Sequence, residues 1–155
     1  MDAKLINPII DAFIEIMPQM GFPIPTRKKI YLQDKNVISN GVTVEVGFTR
    51  QLRGKVVYNM TEDTAKYVAS TMMLGVPVTK FGELVQSALR EMGNMLTARA
   101  ATYFSQIGLN VDITTPQLTI SQNYTISISD ARYLNVEMDL GGHKVDIALS
   151  VEPVT

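Results

Sequence analysis

The run Ser87-Ala-Leu-Arg-Glu91-Met-Gly93-Asn94 sets an acid and a carboxamide three residues apart. On a helix that spacing brings both to one face, one turn apart, with Ser87 one turn earlier. A carboxamide accepts hydrogen bonds through its oxygen and donates through its NH₂, which suits it to positioning work. Two residues of the run are poor helix choices. Gly in a helix interior costs about 1 kcal/mol relative to Ala, and Asn competes for backbone hydrogen bonds. Their adjacency implies a requirement other than helix stability. The missing side chain at Gly93, beside an outward acid and amide, would let another molecule approach the helix closely. An outward polar face is nevertheless common to every surface helix, and Glu-x-x-Asn alone arises by chance in many chains. Glu83 and Gln86 form a second acid–amide pair, but Gln86 drifts off the exposed face and lacks a preceding Gly. Both read as solvated helix surface.

Composition removes other chemistries. The chain has no Cys, so disulfides, thiol catalysis and Cys-ligated zinc are excluded. Its one His, His143, cannot build a His-rich metal site. It follows Gly141-Gly142 and reads as the solvated exit of a tight hairpin. The formal net charge of −1 offers no basic surplus for phosphates, so nucleic acid is not an expected partner. The first residues are broken by Asp2, Lys4, Asn7, Asp11 and Glu15, unlike a signal peptide. No apolar run approaches the roughly 20 residues of a membrane span. The expected compartment is the cytoplasm, with no membrane partner. With 155 residues, 46% apolar and 19% charged, the chain reads as one folded domain over residues 1–155.

The acid–amide face needs a long helix on a stable support. Thr79 reads as the cap of a helix running to about Gln106 and ended by Gly108. On its wheel Glu83, Ser87, Glu91 and Asn94 face outward. Phe81, Val85, Leu89, Met92, Leu96 and Tyr103 lie roughly opposite, with Leu84 and Met95 at one border. An earlier amphipathic helix carries Leu5, Ile6, Ile9, Ile10, Phe13, Ile16 and Met17 at helical spacing. It is capped by Asn7 if Pro8 lies in its first turn; otherwise it begins near Asp2 and Pro8 falls inside. Pro18, Gly21, Pro23 and Pro25 end it. A third, shorter helix starts at the Thr61 cap, buries Ala65, Val68, Ala69, Met72 and Met73, and stops at Gly75.

The remainder reads as strands: KIYLQD, VTVEVGF with Val42, Val44, Val46 and Phe48 on one face, and GKVVYNM after a turn over Gln51 to Gly54. Beyond the long helix come alternations at Leu118–Ile120, Ile126–Ile128, Leu134–Leu140 and Val145–Val151. One-sided strands with few helices point to an α+β fold, mainly an antiparallel sheet with one face covered by helices. The order of a long helix, a Gly and Pro break and strands occurs twice, which suggests an internal repeat.

The eight residues from Ser87 to Asn94 match the pattern [D/S]-x-x-x-E-x-x-N, with the habitual Gly before Asn, and here the chain resembles the CheC/CheX family of chemotaxis phosphatases. The order of elements, the Gly and Pro breaks and the length resemble CheX-like members throughout. The resemblance implies a CheC-like fold with a pseudo-two-fold repeat. It also implies a phosphatase acting on the aspartyl phosphate of a CheY-like response regulator. Glu91 would pair with a Lys in the regulator's own site, and Asn94 would enter that site and orient the attacking water. Ser87 and Gly93 would support them. The cofactor would be none of the chain's own, with Mg²⁺ supplied by the regulator. Phosphoryl transfer passes through a loose transition state, so positioning can suffice without a strong base.

The first helix carries an echo, Asp11-Ala-Phe-Ile-Glu15-Ile-Met-Pro18, with Pro where Asn would stand. Pro18 has no amide to orient water, so this copy is expected to be silent. The resemblance further implies a homodimer joined through strands near YTISIS, Tyr124 to Ser129, which reads as an exposed or exchanged edge strand. The alternative is a non-catalytic CheC-like module that binds phosphorylated receivers or serves as a flagellar-switch scaffold. The switch scaffolds lack the Glu/Asn pair that is intact here.

Overall fold

A computed structural model describes residues 2–154. Helix α1 (Ala3–Gln19) is followed by strands β1 (Thr26–Ile38), β2 (Gly41–Arg50) and β3 (Leu52–Met60). Helices α2 (Glu62–Met72) and α3 (Glu83–Gln106) come next, then β4 (Val111–Ile113), β5 (Gln117–Ser121), β6 (Thr125–Leu140) and β7 (His143–Pro153). The strands form one sheet in the order β1-β6-β7-β3-β2, with β4 and β5 both on the outer side of β2. Every pairing is antiparallel. The fold is α+β, as the strand patterning implies.

The strand order explains the repeat. If α1-β1-β2-β3 is matched to α3-β5-β6-β7, exchanging the halves leaves the order of the sheet unchanged. Each half lends its first strand to the other: β1 pairs with β6, and β5 pairs with β2. The pseudo-two-fold passes between β3 and β7, which pair from Leu52–Pro153 to Asn59–Asp146.

One face of the sheet buries Val42, Val44, Val46, Phe48, Val56, Tyr58, Val136, Met138, Ile147 and Leu149 beneath the three helices. Alternation in these strands produces that face directly, because successive side chains point to opposite sides. The other face holds a smaller cluster of Val37, Val57, Ile126, Ile128, Tyr133 and Ala148. There the segment expected as an edge strand pairs with β1 on one side, while its other edge has no strand partner among the described residues, because β7 pairs only with Leu134–Leu140. Ile126 pairs with Val37 and Ser127 with Asn36 after a register shift, and both isoleucines are buried. Ile126–Ile128 and Leu134–Leu140 thus belong to one long strand rather than two. The exposed outer strand is β1, where Ile30, Leu32 and Ile38 stand in solvent, Ile38 at 70% exposure.

Several local expectations change. Of the two starts open for α1, the structure has the one near Asp2, which caps the helix by accepting from the Lys4 backbone N–H and puts Pro8 inside; Pro18, expected to end the helix, lies inside it too. Gly82, not Thr79, precedes α3, and no side chain caps it. A start at Thr79 would place Gly82 in the first turn, where Gly is a poor helix former. Gly54 lies within β3 rather than in a turn, at positive φ and opposite Phe48. Strand β4 was unexpected, since three residues show no periodicity. His143 is not a free turn residue: its ring stacks on Tyr67 of α2 at 3.9 Å.

Candidate functional site

Helix α3 packs on β2, β4 and β5 and carries the acid–amide pair at its middle. Leu89, Met92, Leu96, Ala100 and Phe104 are buried beneath it. Phe104 meets Phe48 of β2 edge-on at 5.7 Å. Glu83, Ser87, Glu91 and Asn94 face solvent, as the wheel requires. Among the described residues no hydrogen bond or ion pair engages the side chains of Ser87, Glu91 or Asn94. The structure therefore brings these three together on one face of α3 and leaves their polar atoms free to meet another molecule. Gln86 departs from its expected role, because its side-chain amide turns inward and donates to the Phe81 carbonyl at 2.7 Å.

Gly93 differs from expectation in the direction it faces. It is buried against the sheet. A Cβ at this position would lie 2.5 Å from Val44 Cγ1 and 3.8 Å from Pro116 Cβ. The missing side chain lets α3 settle onto β2, not a visiting molecule onto α3. Gly93 stands about 100° round the helix from Asn94, and that turn carries it to the sheet-facing side.

Below Gly93 lies a polar contact that the strand and helix patterns did not reveal. Thr97 Oγ1 donates to the Gly93 carbonyl at 2.7 Å. Tyr58 of β3 lies 3.0 Å from the same hydroxyl. Thr97's proton is directed at Gly93, so Tyr58 is the donor in this pair. Burial pushes the Tyr58 phenol far above its ordinary value, which keeps that proton in place. Four-residue spacing from Gly93 to Thr97 could have signalled the first bond. The second depends on which strand lies beneath, which spacing does not show.

Helix α1 packs beside α3. Glu15, in the degenerate copy of the motif, pairs with Arg99 of α3 at 3.1 Å. Pro18 occupies the position of Asn94, and the fully buried Met17 that of Gly93.

The family model described as chemotaxis phosphatase CheX matches residues 42–139, a span that includes all of α3. The chain belongs to the CheX family. It is 32% identical over 127 residues to a protein of Thermotoga maritima named CheY-P phosphatase CheX, covering 81% of each chain. A CheC-like superfamily protein from Shewanella sp. PV-4 shares its fold with a TM-score of 0.86 at 23% identity, over 98% of this chain and 99% of that one. The CheX of a CheX–CheY–BeF3–Mg²⁺ complex from Borrelia burgdorferi superposes with a TM-score of 0.75 at 24% identity, over 96% and 97%. The CheC-like fold expected from the Glu91–Asn94 motif and its surrounding elements is thereby shown. Among the described residues no helix of this CheX family member is long and apolar enough to cross a membrane.

Proposed function

We propose that this protein hydrolyses the aspartyl phosphate of a CheY-like response regulator. The observation that carries the reading is the unpartnered Ser87–Glu91–Asn94 face on a buried, anchored helix. The relative named CheY-P phosphatase supports the substrate, and the Borrelia complex supports a CheY-like partner. Asn94 enters the regulator's site and orients water. The water attacks phosphorus, the bond to the aspartyl oxygen breaks, and inorganic phosphate leaves the restored carboxylate. Glu91 pairs with a cationic group of the regulator and fixes the approach; Ser87 supports that contact. As the family resemblance implies, Mg²⁺ is supplied by the regulator and not by this chain.

The test is to incubate the protein with a phosphorylated CheY-like receiver and Mg²⁺ and to follow phosphate release. Acceleration over the receiver alone is expected. Tight binding without acceleration would establish the non-catalytic module instead. Glu91 is exposed, so its pairing is screened by salt, and turnover at subsaturating receiver declines as ionic strength rises. Glu91→Gln weakens both binding and turnover; no change in either removes its assigned role. A second copy of the chain is the other proposed partner, through the segment Tyr124 to Ser129, whose edge away from β1 has no strand partner among the described residues and suits sheet continuation. Light scattering at micromolar concentration is expected to give a dimer's mass.

A further inference from the structure

Peptide units are planar, so the Gly93 carbonyl and the Asn94 nitrogen move as one rigid plate between the two Cα atoms. Both ends of that plate matter for Asn94, whose side chain projects from its far edge. Glycine also makes the near end the most permissive point of the helix. Left alone, the amide would stand on the loosest link of α3.

Beyond the helix's own backbone hydrogen bonds, two contacts hold this link. Gly93 Cα sits against Val44, leaving no room for a Cβ. The Gly93 carbonyl receives the Thr97 hydroxyl, which in turn receives Tyr58. Tyr58 is 1% exposed and Thr97 is 0% exposed. Among the described residues this is the only side-chain hydrogen bond that joins a helix to a strand. Everything around it on that side of the sheet is apolar core. Stability alone does not account for such a pair, because replacing both partners of a buried hydrogen bond with apolar groups of the same shape is nearly neutral. A Thr hydroxyl bonded to the carbonyl four residues earlier even tends to destabilise a helix slightly.

We infer that Tyr58 and Thr97 are positioning residues, and that their buried relay to the Gly93 carbonyl aims the Asn94 amide. The inference rests on the reading of Asn94 as the group that acts on the phosphorylated receiver. The relay acts from beneath the helix, on the side opposite the substrate, so neither residue touches the reacting atoms. It fixes tilt and depth of the plate, while the Val44 contact fixes its distance from the sheet. Because displacement of a reacting group by about 1 Å can cost about 10²-fold in rate, a relay that removes a smaller wobble is worth about tenfold.

The experiment uses the full chain and four variants: Tyr58→Phe with Thr97→Val together, Thr97→Ser, Asn94→Ala, and Val57→Ala as a control. Val57 lies on the same strand but in the cluster on the opposite face of the sheet. Dephosphorylation is measured at varied receiver concentration, and amide hydrogen exchange is followed along α3. For the apolar double variant we expect near-normal unfolding midpoints and KM. Its kcat falls about tenfold, and exchange accelerates selectively at residues 93–98. Thr97→Ser keeps the hydroxyl and keeps kcat. Val57→Ala lowers stability and leaves kcat unchanged. A double variant with wild-type kcat and wild-type exchange at 93–98 overturns the inference. If the wild-type protein releases no phosphate, the proposed function fails, and the exchange profile alone then decides the relay.

Discussion

The two copies of the motif differ least in spacing and most in what their side chains are bound to. In α3, Glu91 and Asn94 have no partner among the described residues, and Gly93 is pressed onto Val44. In α1, Glu15 holds Arg99, Pro18 has no amide, and Met17 fills the buried position. Equivalent residues therefore do opposite things. One copy keeps polar groups free on a backbone fixed from below; the other places its acid in an ion pair that braces the helix beside it. A site of this kind needs both conditions, since free polar groups on a loose backbone would not be positioned and fixed groups already paired would not be available.

Asn94→Ala gives the sharpest break in the comparison. It removes the amide from an exposed position where Ala is the better helix former, so stability is not expected to fall. Loss of one positioned hydrogen-bonding group in phosphoryl transfer costs about 10²-fold or more in turnover, roughly 3 kcal/mol of barrier. Under the proposed role the amide acts mainly on the transition state, so receiver binding is expected to change far less. Single-turnover dephosphorylation beside a binding titration separates the two. Full activity in Asn94→Ala would remove the distinction between the copies.

Gly93→Ala tests the support rather than the amide. The added Cβ lies 2.5 Å from the Cγ1 of Val44, a stiff β-branched side chain with 0% exposure. Overpacking costs about 1–3 kcal/mol, against about 1 kcal/mol gained in helix propensity. A net loss of about 1 kcal/mol is expected in urea unfolding, with turnover reduced as α3 lifts. Val44→Ala in the same chain makes room for the new methyl, so the two changes together cost less than their sum. Strict additivity would mean that the close approach does not exist.

Legibility followed the range of each signal. Period-two alternation located β2, β7 and the second half of β6, because a sheet with one covered face writes its pattern into each strand. The helical wheel placed Ser87, Glu91 and Asn94 outward and Leu89, Met92 and Leu96 inward. Gly93 was misread because adjacency to Asn94 was given more weight than the turn of about 100° per residue. The relay through Thr97 to Tyr58 could not be read, since a helix pattern does not say which strand residue lies beneath it. The ion pair from Glu15 to Arg99 and the stacking of His143 on Tyr67 were hidden for the same reason. Ile126 and Ile128 alternate like an edge strand, and their strand is unpaired on the side away from β1, but alternation did not show that their side chains join the cluster on the second face.

The smallest expected effect lies in the degenerate copy on α1. Glu15 and Arg99 are each more than a third exposed, at 37% and 38% of their side-chain surfaces. Solvent screens such a pair, so Glu15→Ala costs about 0–1 kcal/mol of stability. Turnover stays within about twofold of wild type, because the pair braces α3 at Arg99 while Gly93 is held separately from below. Pro18→Asn adds the missing amide but leaves Glu15 tied to Arg99 and Met17 in place of a glycine. Placed in the Asn94→Ala background, it is expected to restore no activity. Dephosphorylation assays on Glu15→Ala and on the Asn94→Ala, Pro18→Asn double variant decide the matter together. Recovery in the double variant would show that an amide at the right spacing is sufficient without a free acid or a close-packed glycine. Loss of most activity in a folded Glu15→Ala protein would move the working face from α3 to α1.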